Sequence, residues 1–150
     1  MEKPEIRQPN RNLDFGIGFY TTSNIEQALS FCRIVCNRRG GKPILSVYAF
    51  DFESAKTTAA IKLFPKADEE WFDFVCAKRM GEYKGPEYDI IMGPVANDTV
   101  YRTFIGYLAG VTSKAESLGR LMVGQLHDQI TFCSEKSLEY LTFTHYEERG

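Results

Sequence analysis

The chain has 150 residues, which suits one domain with a sizeable core, and its 43% hydrophobic and 25% charged content is that of a soluble globule rather than a disordered or fibrous chain. A formal charge of -2 gives no overall attraction to a nucleic-acid backbone. No apolar run approaches the roughly 20 residues of a membrane span and no signal-peptide core opens the chain, so a cytoplasmic location is expected.

Met1 to Asn10, with Pro4 and Pro9, reads as an extended N-terminal segment, and residues 11–150 as a single domain. Within Leu13 to Thr22 (L-D-F-G-I-G-F-Y-T-T), Gly16 and Gly18 let a backbone approach a ligand without an intervening Cβ, or take up positive φ. Phe19 to Thr22 alternates as a strand, with Tyr20 and Thr22 on one face and Phe19 and Thr21 on the other. One face can serve the core and the other a ligand. Because the glycines precede the strand, the Rossmann fingerprint does not apply; the competing reading is a glycine-softened turn entering an ordinary strand.

Ser23-Asn24-Ile25-Glu26 reads as a capping box, followed by Ile25, Ala28, Leu29, Cys32, Val35 and Cys36 at helical spacing until Gly40-Gly41. Gln27 falls in the first turn, beside Tyr20. The four cysteines contain no C-x-x-C pair, and Cys32 and Cys36 fit a helical core stripe, so no metal site and no disulfide is expected. Arg33, Arg38, Arg39 and Lys42 cluster where cations complement a helix C-terminus; a nucleic-acid patch is the alternative.

Ile44 to Phe52 is a β-rich run and Thr58 to Phe64 a weaker strand candidate. Asp68 caps a helix with Trp71, Phe74 and Val75 on its apolar face, and Tyr88 to Met92 is a short buried strand ending at Gly93-Pro94. Asn97-Asp98 caps a helix carrying Val100, Phe104, Tyr107 and Leu108, and Ser113 to Glu116 is a second capping box. Gln129 to Cys133 reads as a strand, Ser134 as the cap of a short helix through Tyr140, and Leu141 to Tyr146 as the last strand. The irregular alternation predicts an α+β domain.

Phe15-Gly16-Ile17-Gly18-Phe19-Tyr20, followed by a helix with Ala28 and Cys32, resembles the F-G-x-G-I/F-Y segment of poly(ADP-ribose) polymerases and so the diphtheria-toxin-like ADP-ribosyltransferase superfamily. More closely, Arg11, Leu13 to Thr22, Asp89 to Asp98 and Asp128 to Phe132 resemble the DUF3990 family of small, mostly bacterial proteins, over nearly the whole chain. The resemblance implies a split β-sheet core with flanking helices and NAD as substrate, bound between the Tyr20 strand and the Gln129 strand. Tyr20 and Gln129 match the second and third of the superfamily's three defining positions.

On that resemblance Tyr20 stacks on nicotinamide, Gly16 and Gly18 admit the ligand and Thr22 donates a hydrogen bond, while Gln27, from its place in the helix's first turn, either reaches the pocket or is a solvated glutamine. Gln129 holds a ribose hydroxyl but is no carboxylate base, which favours single transfer or NAD hydrolysis over chain elongation. Arg11 either forks onto the diphosphate or pairs with Asp14, and Asn97 and Asp98 either contact ligand or only cap a helix. The superfamily's first position, a His-Gly pair on a strand before the Arg11 block, has no counterpart, since no His precedes His127. The expected core therefore lacks the His-bearing strand, through truncation, a late start or donation of that strand by another chain. Two functions follow: a mono-ADP-ribosyltransferase-like toxin or conflict-system effector with a neutralising antitoxin-like partner and a protein, nucleic-acid or water acceptor, or a catalytically inactive nucleotide- or protein-binding module. In either, a sheet edge is left open for self-association.

Overall fold

A computed structural model describes residues 3–6, 15–42, 44–94, 98–121 and 128–148. Two sheets and several helices make a mixed architecture of the α+β kind. In the larger sheet β1 (Phe19–Thr21) lies antiparallel to β5 (Asp128–Phe132), β5 antiparallel to β4 (Ile90–Pro94), and β3 (Ile61–Leu63) joins β4 in parallel, giving the order β1-β5-β4-β3. The smaller sheet is the antiparallel pair β2 (Ile44–Phe50) and β6 (Leu141–Glu148). No described strand flanks β1 on its outer side.

Side chains alternate across a strand, so the register assigns two faces to the larger sheet. Tyr20, Thr131, Ile91 and Lys62 share one face, and Phe19, Phe132, Ile90 and Ile61 share the other. The first face is covered by α3 (Glu69–Met80), whose Trp71, Phe72, Phe74 and Val75 form a core with Phe15, Phe64 and Ile91. The second face packs Ile90 and Phe132 against Ala55 of α2 (Phe52–Thr58) and Leu138 of the 3-10 turn Lys136–Tyr140. Phe50 of β2 meets Phe132 edge-on at 5.1 Å between ring centres, which joins the two sheets.

Caps explain where several elements begin. Asp68 accepts from the Trp71 N–H at 3.0 Å, as the sequence predicts, and Gly81 ends α3 in the left-handed region. Helix α1 (Ile25–Arg39) is capped by Asn24, which accepts from the Gln27 N–H at 2.9 Å, and not by Ser23. Ser23 Oγ lies instead 2.8 Å from each carboxylate oxygen of Asp128, so a long-range partner takes the hydroxyl that the local pattern assigns to a cap. Ile25, on the expected apolar stripe, is exposed, whereas Leu29 is buried.

The strands expected over Ile44 to Phe52 and Thr58 to Phe64 are shorter, because Asp51 accepts from the Ser54 N–H and opens α2 between them. Asp98 is the first residue of α4 (Asp98–Leu108), and Asn97 lies outside the described residues. Ser113 caps as its pattern says: its Oγ accepts from the Glu116 N–H at 3.1 Å, opening α5 (Lys114–Leu121), and donates to the Glu116 carboxylate at 3.3 Å. Lys114 then ties α5 to α3 through Glu69 and Asp73, each at 2.8 Å. The four cysteines are free thiols, and among the described residues no group of side chains is arranged to hold a metal ion and no helix is long and apolar enough to cross a membrane.

Candidate functional site

Tyr20 sits on the edge strand β1 directly across from Thr131 of β5, and Gln129 lies two residues along β5 on the same face. These strands are hydrogen-bonded neighbours, so no gap separates them. The Tyr20 ring packs against the α3 core, and its hydroxyl folds the preceding loop back on the strand. It accepts from the Phe15 N–H at 3.0 Å and donates to the Gly16 carbonyl at 2.6 Å. Phe15 is thereby buried to 1% exposure, with its ring over Gly93, where an added Cβ would lie 3.3 Å from Phe15 Cζ.

The two glycines serve different ends. Gly16 has φ +81, which favours glycine, and a Cβ there would meet the Lys78 side chain at 3.3 Å. At Gly18 a Cβ would stand 2.6 Å from Thr131 Cγ2 and 2.9 Å from the Phe132 carbonyl, so its thinness is used by β5.

Thr22 fixes the corner that follows β1. Its Oγ1 donates to the Asp128 carbonyl at 2.8 Å and accepts from the Asn24 N–H at 3.1 Å. Gln129 is 7% exposed, with its Nε2 3.4 Å from the Pro94 carbonyl, which also accepts from Trp71 Nε1 at 3.1 Å. Two side-chain oxygens are buried with no hydrogen-bond partner among the described residues: Thr131 Oγ1, on the residue facing Tyr20, and, elsewhere, Gln27 Oε1 in the first turn of α1.

The fold therefore brings together Gly16, Gly18, Tyr20, Thr22 and Gln129, while Gln27 is placed only through its backbone N–H on the Asn24 cap. Asp98 opens α4 four residues after Pro94, the register partner of Asp128. Arg11 and Asn97 lie outside the described residues. The hydroxyls of Tyr20 and Thr22 are bonded within the protein.

Several residues to which the sequence assigns no site role shape this region. Phe15 covers the shared face, Asp128 anchors the β1–α1 corner through Ser23, and Lys78 and Tyr83 border a cavity of about 450 Å³. That cavity lies between the Phe15 to Ile17 turn, the end of α3 and the Tyr83 to Tyr88 loop, with Cys133 at its base. Cys133 is two residues beyond Thr131, and burial pushes its thiol up to about 11. No signal in the linear sequence marks Lys78, which reaches this wall only because α3 crosses the sheet there.

Comparison with curated proteins found no match, and comparison with solved structures found none either. A family model described as protein of unknown function (DUF3990) matches residues 1–143, and the chain belongs to that family.

Proposed function

We propose that the chain is an ADP-ribosyltransferase-like protein that takes NAD on the side of the sheet shared by Tyr20 and Gln129. One relationship carries the reading: these two side chains stand on adjacent antiparallel strands, on one face, two residues apart along β5. The orphaned Thr131 oxygen beside them is the kind of buried polar atom that a polar ligand satisfies. In this reading Tyr20 offers its ring to nicotinamide and Gln129 its amide to a ribose hydroxyl, with the nicotinamide–ribose bond cleaved through an oxocarbenium-like transition state. A carboxamide takes no proton, so transfer stops at one ADP-ribose unit or at hydrolysis. NAD entry requires the Phe15 to Ile17 turn to swing away, because Phe15 covers the face.

Calorimetric titration with NAD tests this, with Tyr20→Phe and Tyr20→Ala as controls. Stacking predicts binding that survives in the Phe variant and disappears in a folded Ala variant. No heat with the folded wild-type chain rejects the proposal.

A second reading, a catalytically inactive nucleotide- or protein-binding module, is favoured by the internal bonds of Tyr20 and Gln129 and by a β1 edge that no strand among the described residues flanks. NAD binding without nicotinamide release supports the nucleotide form. Concentration-dependent association of the chain supports edge pairing.

A further inference from the structure

The cavity beneath the Phe15 to Ile17 turn carries two opposite charges, Lys78 and Glu87, and neither has an ion-pair or hydrogen-bond partner among the described residues. They differ in depth: Lys78 is half-buried and Glu87 is exposed. Among the described residues the Lys78 ammonium rests on aromatic faces, 4.1 Å from the centre of the Tyr83 ring and 5.6 Å from that of Phe74. A half-buried ammonium held by ring quadrupoles can still take an anion as a charge-assisted partner, which the rings do not supply. Cys133 supplies no such anion, because a thiol pushed up to about 11 is neutral near pH 7. Phe15, Tyr83 and Tyr88 give the walls aromatic surface, and the volume of about 450 Å³ falls within the range of small-molecule sites, roughly 300–1,000 Å³.

We propose that this cavity binds a small aromatic carboxylate, its ring against the Phe15, Tyr83 and Tyr88 walls and its carboxylate on the Lys78 ammonium. The exposed Glu87 carboxylate opposes that anion from the rim and sets a ceiling on its affinity. Neither Tyr20 nor Gln129 lines the cavity, so the proposal stands apart from the NAD reading except at the Phe15 to Ile17 turn, which both share.

Amide chemical shifts recorded during titration of the full chain with benzoate, and in parallel with benzamide, test it. Benzoate should move Gly16, Ile17, Gly81 and Tyr83 and bind at least about tenfold more tightly than its neutral isostere. Lys78→Met should weaken benzoate by about tenfold or more, while Glu87→Gln should tighten it, a pair of opposite effects that simple loss of structure does not produce. Benzoate that leaves those amides unmoved overturns the proposal. So does benzamide binding as well as benzoate, which would return the cavity to a neutral-ring or nicotinamide-type ligand. The benzoate-to-benzamide comparison uses the wild-type chain alone, so the test stands even if Lys78→Met does not fold.

Discussion

Gly18 and Thr131 are packed so closely across β1 and β5 that a Cβ on Gly18 would lie 2.6 Å from Thr131 Cγ2. The Phe132 carbonyl, at 2.9 Å, blocks the same space from the backbone. Gly18→Ala should therefore cost about 1–3 kcal/mol in urea unfolding, the usual range for overpacking. Adding Thr131→Ala relieves the side-chain clash but not the carbonyl one, so the double variant should recover only part of the loss. An unchanged denaturation midpoint for Gly18→Ala would show that the two strands are not this close and would free Gly18 for a ligand role.

The Tyr20 hydroxyl holds Phe15 and Gly16 against the strand, which makes it a stabilising group whatever the ligand. Tyr20→Phe leaves a backbone donor and acceptor unsatisfied in a partly buried loop, and should cost about 1–2 kcal/mol. Tyr20→Ala also empties part of the α3 core and should cost about 3 kcal/mol. Equal stability of the Phe variant and the wild type would remove this structural role. It would also make loss of NAD binding in Tyr20→Ala easier to interpret.

Much of the fold was legible because local chemistry and tertiary structure agree at many of its positions. Asp68, Ser113 and the alternation of Phe19 to Thr21 act as their sequence patterns say. Ser23 fails because Asp128, 105 residues away along the chain, takes its hydroxyl, and no local pattern reveals such a partner. Helix α2 was hidden because D-F-E-S-A-K-T-T has a cap but too few turns to display a 3.6-residue period. At the candidate site the shared face of Tyr20 and Gln129 follows from strand register, which sequence does not fix. The cover supplied by Phe15 and the approach of Lys78 depend on how α3 crosses the sheet.

Asn24 and Ser23 separate capping from corner anchoring. Asn24→Ala removes the acceptor for the Gln27 N–H and should lower stability by about 1 kcal/mol, with a matching loss of α1 helicity by circular dichroism. Ser23→Ala breaks only an exposed bond to Asp128 and should cost about 0.5–1 kcal/mol without affecting helicity at the start of α1. The reverse ranking in helicity would restore Ser23 as the cap.

One buried and one half-buried thiol give the chain a stability that fades at alkaline pH. Burial raises Cys76 from 9.0 to about 12 and Cys133 from 9.0 to about 11, so both stay protonated in the folded state after the unfolded chain has begun to ionise. Below pH 9 the thiols are largely protonated in both states and contribute no slope. Above it the folded protein binds more protons than the unfolded one, so stability falls as pH rises, through about 11 for Cys133 and about 12 for Cys76. Urea midpoints measured from pH 8 to pH 10.5 should decline less steeply for Cys76→Ala and Cys133→Ala than for the wild type. Both thiols should also react with a disulfide reagent at pH 8 far more slowly in the folded chain than in urea, since only about one Cys133 in a thousand is thiolate there. Parallel pH slopes for wild type and both variants, with native labelling as fast as unfolded, would mean that neither thiol is buried as described.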